Sequence, residues 1–206
     1  MNIDKKIIFP TSVWQISLPD AEKGDMDQRL IKKVLSTRND PTAMSSPQDK
    51  WYTPRTLHET PEFEDFGKFV LNASRACLDE MRIKYKDIEI TGCWGNISSP
   101  GATHHRHSHP NNYLSAVYYL QADEGANTIT FHDPRPVVGL IRPPTIEPTY
   151  ETAETINLIV NPGDLVIFPH WLVHSVAANT SGRERISIAC NIMFSNYMSE
   201  MVKPMW

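Results

Sequence analysis

The sequence predicts a mainly β fold, a sandwich or barrel with helices packed against its outside, on three observations. About seven short apolar segments follow residue 87, each bounded by Gly, Pro, Asn, Asp or Ser. Two stretches with helical periodicity precede them, so strands and helices are segregated along the chain. Proline is raised, at 16 of 206 residues, which disfavours long helices and suits short strands joined by structured loops.

The elements follow in order. Residues 1–20 hold one or two short strands, Lys6–Phe9 and Val13–Ile16, cut by Pro10 and Pro19. Asp25–Thr37 is a helix, with Met26, Leu30, Ile31, Val34 and Leu35 at helical spacing. Asn39–Pro54 is a polar loop. Thr60-Pro61-Glu62 starts a second helix with Thr as cap and Pro in its first position. Phe63, Phe66, Val70, Ala73, Cys77 and Met81 form its apolar stripe. Strands are expected at Ile88–Ile97, Tyr113–Leu120, Thr128–Phe131, Thr155–Val160, Leu165–Phe168, Leu172–Val176 and Arg185–Phe194. Segment 134–148 carries five prolines and reads as a semi-rigid loop, a candidate lid. A single domain over 1–206 is expected, with 1–87 as helical and loop support for a β core at 88–196.

Composition narrows the function. Apolar residues make 40% of the chain and charged ones 21%, with a formal net charge of −4. No basic excess points to nucleic acid, and no basic amphipathic helix points to a membrane surface. The N-terminus lacks the apolar core of a signal peptide, and no apolar run is long enough to span a bilayer, so a cytoplasmic location is expected. Three widely spaced cysteines, Cys77, Cys93 and Cys190, support neither a disulfide framework nor a cysteine metal site. The apolar tail Met198–Trp206 could dock on the barrel or on a second subunit, the latter making a homodimer.

Four of eight histidines lie in His104-His105-Arg106-His107-Ser108-His109. Residues i and i+2 of a strand share a face, so His107 with His109, or His105 with His107, can converge on one metal ion. A polar surface loop explains the cluster equally well when it is taken alone. His174, in Leu172-Val173-His174-Ser175-Val176, is either a hydrogen-bonded core histidine or the distant third ligand of an HxH pair. Three protein ligands would leave three octahedral positions open.

On the strand Arg185–Asn191, Arg185, Ser187, Ala189 and Asn191 share one face, and Ile186, Ile188 and Cys190 share the other. The apolar face packs outward, which turns Arg185 inward, where a buried guanidinium needs an anion. A carboxylate matches its fork; a structural ion pair with Asp or Glu is the competing explanation. Tyr119 lies on the more polar face of its own strand and could reach the same carboxylate, or be a core aromatic.

At this point the chain resembles the 2-oxoglutarate/Fe(II)-dependent oxygenase superfamily, and more narrowly a set of small, prolyl-hydroxylase-like oxygenases of bacteria and phages. The motifs are HSHP (107–110), LSAVYYL (114–120), ITFHDPR (129–135), PGDLVIFPHWLVHSV (162–176) and RISIACN (185–191), in order across roughly residues 90–195. The resemblance implies a double-stranded β-helix, the cupin-like jelly roll, with Fe(II) and 2-oxoglutarate as cofactors. It implies His107, His109 and His174 as metal ligands, and Arg185, Ser187 and Tyr119 around the far carboxylate of 2-oxoglutarate. His109 departs from the pattern, because most of the superfamily has Asp or Glu there; Asp133 is the alternative carboxylate ligand. Asn96, Asp133, Arg135 and Asn191 are the candidate substrate contacts. The expected activity is hydroxylation of a small-molecule or peptide substrate with release of succinate and CO2. The alternatives are a cupin-like three-histidine metalloenzyme that does not use 2-oxoglutarate, and a non-catalytic metal-binding jelly roll.

Overall fold

The strand at Arg185–Phe194 alternates side chains too large or too apolar for water with polar ones, and the rest of the molecule is arranged about its two faces. The structure, a computed structural model, describes residues 1–39, 44–46, 50–135, 140 and 143–197. In chain order its main elements are β1 (Trp14–Ser17), α1 (Asp20–Ser36), β2 (Met44–Ser46), β3 (Lys50–Tyr52), α2 (Glu64–Glu80), β4 (Ile88–Ser98), β5 (His104–His107) and β6 (Leu114–Gln121). β7 (Thr128–His132), β8 (Thr155–Ile159), β9 (Asp164–Pro169), β10 (His174–Val176) and β11 (Arg185–Phe194) complete the chain.

The strands form two antiparallel sheets. The larger runs β1-β9-β6-β11-β4-β3-β2 and the smaller β5-β10-β7-β8. β11 lies at the centre of the large sheet, paired with β4 along its whole length and with β6 on its other edge. Ile186, Ile188, Cys190 and Ile192 pack with Leu30 and Val34 of α1 and with Phe66, Val70 and Leu78 of α2. The opposite face of the sheet contributes Val117, Tyr119, Val166, Phe168 and Ala189 to a second core, which Ile129, Phe131 and Leu172 close from the small-sheet side. This is the jelly-roll sandwich with its helices outside. Alternation on β11 alone therefore separates the helix side from the space between the sheets.

α1 is seated closely. A Cβ on Gly95 of β4 would come within 2.8 and 2.9 Å of the two methyls of Val34. Tyr118 Oη donates to Asp27 Oδ1 at 2.7 Å, a second tie from helix to sheet. Among the described residues no helix is long and apolar enough to cross a membrane.

The structure corrects several expected boundaries. Lys6–Phe9 is not a strand: it joins neither sheet among the described residues and is exposed, and Phe9 takes a left-handed φ of 55°. α1 begins five residues before Asp25, after Pro19, and its backbone leaves helical geometry at Gly24. Thr60 does not cap α2; its hydroxyl donates to the Leu57 carbonyl, and two short 3-10 turns precede the helix. The stretch read as loop, 39–54, contains β2 and β3, which extend the large sheet past β4. Leu172 belongs to a turn onto Pro169, so β10 starts only at His174. Part of the proline-rich segment (136–139 and 141–142) and the tail 198–206 lie outside the described residues.

Candidate metal centre and the chamber beneath it

His107 ends β5, and His174 opens β10 directly opposite it in the ladder. His109 sits just beyond the strand, where its backbone N–H is anchored on the His170 carbonyl at 2.9 Å. The three rings gather at the mouth between the sheets, with centroids 4.3 Å apart for His107 and His174, 5.2 Å for His109 and His174, and 5.3 Å for His107 and His109. One ligand atom from each lies within 4.8 Å of the others.

Each imidazole is oriented by its Nδ1. His107 Nδ1 lies 2.7 Å from the His105 carbonyl, His174 Nδ1 3.0 Å from the Leu172 carbonyl, and His109 Nδ1 2.7 Å from Asn191 Oδ1. Carbonyl oxygens only accept, so each Nδ1 carries the proton and each Nε2 keeps its lone pair. Burial pushes His174 down to about 3. Burial also holds His109 below the ordinary histidine range, with Asn191 opposing it. Both are thus set in the neutral form that binds metals. Phe168 stands edge-on to His174 at 4.7 Å, and Trp94 stacks on His109 at 5.8 Å, fixing the rings from behind. This donor set fits a divalent transition metal held on one face.

Below the triad lies a chamber of about 860 Å³. Its floor is a grid set by strand register, since directly paired residues project to one face. One row reads Lys50, Ser98, Arg185; the next Tyr52, Asn96, Ser187, Tyr119; the third Trp94, Ala189, Val117. Arg185 is 4% exposed, and its guanidinium carbon lies 5.2 Å from the centre of the Tyr119 ring. Arg185 Nε and Tyr119 Oη are buried without a hydrogen-bond partner. Burial raises the Tyr119 phenol, with Arg185 pulling the other way, so it remains a donor. His104 rests on the first row, its Nε2 3.2 Å from Ser98 Oγ; burial, then Arg185 and Lys50, push it down to about 3. No Asp or Glu lines the chamber among the described residues. The two orphaned donors fit the far carboxylate of 2-oxoglutarate.

The structure thus gathers His107, His109, His174, Arg185, Ser187, Tyr119, Asn96 and Asn191 around one space. Asn96 accepts from Trp94 Nε1 at 3.1 Å, and Asn191 is committed to His109. Asp133 and Arg135 stand outside it, their side chains joined in two hydrogen bonds of 3.0 and 2.7 Å. Lys50, Arg55, Trp94 and His104 also line the chamber and were not singled out from sequence. For His104 a signal existed in the cluster; for the others a lone residue in a loop or strand offered none.

Fold and triad together make a jelly roll with a candidate metal site between its two sheets. Residues 92–191, a little under half of the chain, match the family described as "Putative 2OG-Fe(II) oxygenase". No curated protein matches the chain in sequence. Among solved structures it is similar to a prolyl-4-hydroxylase from Pseudomonas putida (TM-score 0.61, 15% identity, 90% of this chain and 94% of that one). It is also similar to a 2OG-Fe(II) oxygenase-family oxidoreductase from Burkholderia pseudomallei (TM-score 0.57, 16% identity, 88% and 85%). A third is the epimerase SnoN, in complex with Fe3+, α-ketoglutarate and nogalamycin RO (TM-score 0.64, 11% identity, 88% and 79%). At these identities the likeness shows the fold.

Proposed function

We propose that this chain is an Fe(II)- and 2-oxoglutarate-dependent dioxygenase that hydroxylates a small-molecule or peptide substrate, releasing succinate and CO2. One observation carries the reading: three imidazoles with free Nε2 atoms face a chamber whose floor holds a buried Arg185 and Tyr119 with unpartnered donors. SnoN, of similar fold, was seen with iron and α-ketoglutarate, which supports the assignment.

His107, His109 and His174 would hold the iron, and Arg185, Ser187 and Tyr119 the far carboxylate of 2-oxoglutarate. Bound there, Fe(II) supplies the coupling of dioxygen activation to decarboxylation of 2-oxoglutarate. The chain's own part is positional. Asn191 and the carbonyls of His105 and Leu172 keep each Nδ1 protonated and each Nε2 aimed. Arg185 offers a charged donor at its Nε, and Tyr119 a protonated phenol, so a dianion gains hydrogen bonds that an apolar molecule would not. Val117, Ile129 and Ala189 line part of the chamber with hydrocarbon.

The test is anaerobic addition of 2-oxoglutarate to the Fe(II) protein. A weak visible charge-transfer band is expected in the wild type. Arg185→Met should keep iron but weaken 2-oxoglutarate about 10- to 100-fold, the loss of charge-assisted hydrogen bonds. His174→Ala should lose iron. A second reading, a three-histidine dioxygenase without cosubstrate, is favoured by His109 standing where a carboxylate is usual; an iron-loaded wild type with no band would select it. Succinate release across candidate substrates then reports the reaction.

A further inference from the structure

Lys50 is a buried cation of the chamber that the cosubstrate reading does not use. It is 6% exposed, lines the chamber, and among the described residues has no acid beside it. In the floor grid it is two strands from Arg185, with Ser98 between them and His104 resting on Ser98. The two cations therefore flank His104 on opposite sides. 2-Oxoglutarate has two carboxylates, one for the metal and one for the Arg185, Ser187 and Tyr119 corner, and neither is left for Lys50.

Charge leads to the same place. With three neutral imidazoles, a divalent metal keeps both its charges, and dianionic 2-oxoglutarate cancels them. The charges of Arg185 and Lys50 then remain in a space that no carboxylate side chain lines among the described residues. Arg55, exposed at the mouth with its guanidinium carbon 5.0 Å from the centre of the Trp94 ring, adds a third. A desolvated ammonium without a counter-ion is costly, so the loaded chamber favours a further anion. His109, in place of a carboxylate, makes that excess one charge larger.

We infer that the substrate is a small anion, carrying a carboxylate or phosphate group that is anchored by Lys50 and enters past Arg55. This rests on the proposed cosubstrate site. It narrows the substrate to molecules whose anionic group and reacting carbon fit together in one chamber of about 860 Å³.

The experiment is equilibrium binding to the anaerobic Fe(II) and 2-oxoglutarate-loaded protein, read by tryptophan fluorescence, Trp94 being in the chamber. The probes are inorganic phosphate and benzoate, with benzamide as the uncharged match. The expected result is that at least one anion binds and benzamide does not. Lys50→Met should weaken that anion about tenfold or more while 2-oxoglutarate affinity changes less than about twofold. Lys50→Arg, which keeps the charge, should restore anion binding and guards against misfolding of the Met variant. Tighter phosphate points to a phosphorylated substrate, and tighter benzoate to a carboxylic acid. The inference is overturned if neither anion binds, if Lys50→Met leaves anion binding unchanged, or if it weakens 2-oxoglutarate as much as Arg185→Met does. If wild type fails to bind 2-oxoglutarate, the cosubstrate reading falls separately. The titration is then run on Fe(II)-loaded Arg185→Met, where dependence on Lys50 still decides.

Discussion

Asn191 shows how a single side chain can matter without touching a ligand. Its Oδ1 accepts a hydrogen bond from Nδ1–H of His109, the part that a backbone carbonyl plays for His107 and for His174. Asn191→Ala frees the His109 ring to rotate and should lower metal affinity about 10- to 100-fold, measured by competition with a chelator. Asn191→Asp keeps the acceptor and should retain most of the affinity; equal loss in both variants would mean the contact does not orient the ring. His104 gives a second prediction at this scale. Its folded value is about 3 against an ordinary 6.5, so between those values the unfolded chain binds a proton that the folded one refuses. Stability of the metal-free protein therefore falls as pH drops from 6.5 towards 3, with His174 sharing the effect. His104→Gln should flatten part of that slope in urea unfolding followed across pH, and parallel curves would contradict it. Residues of this kind were only partly legible. Alternation on β11 placed Arg185, Ser187 and Asn191 on the chamber face, because a two-residue period survives in a ten-residue strand. What Asn191 bonds to depends on where the segment after β5 travels, which no local period encodes.

At the scale of elements, the contact of α1 with β4 sets the depth of the helix on the sheet. Gly95→Ala puts a methyl 2.8 Å from Val34 Cγ1 and should cost about 1–3 kcal/mol in denaturant unfolding. Adding Val34→Ala removes the clash and should recover part of the loss; a double variant no better than additive would show that the two residues are not in steric conflict. Long elements were legible for the same reason that this contact is tight. Met26, Leu30, Ile31, Val34 and Leu35 repeat along enough helix to reveal a face. β2 and β3 are three residues each, too short for any period, and they were hidden in a polar stretch. Their addition to the sheet edge is a tertiary event, and it carries Lys50 and Tyr52 into the chamber. The wall assigned to the substrate was therefore the part the sequence concealed.

For the molecule as a whole, the two sheets meet at the triad, with His107 and His174 on the small sheet and Arg185 on the large one. Metal and cosubstrate together would bridge them and tie ligand binding to global stability. A ligand at one hundred times its dissociation constant adds about 2.7 kcal/mol, which for a domain of this size raises the melting temperature by roughly 5–10 °C. Mn(II), as an air-stable substitute for Fe(II), should give such a rise in the wild type and none in His174→Ala. 2-Oxoglutarate should add a further rise once the metal is present, because one of its carboxylates needs the ion and the other needs Arg185. In Arg185→Met the metal increment should persist and the cosubstrate increment should shrink towards zero. Equal cosubstrate increments in wild type and Arg185→Met would detach 2-oxoglutarate from this chamber, whereas a metal increment that survives His174→Ala would move the ion away from the triad.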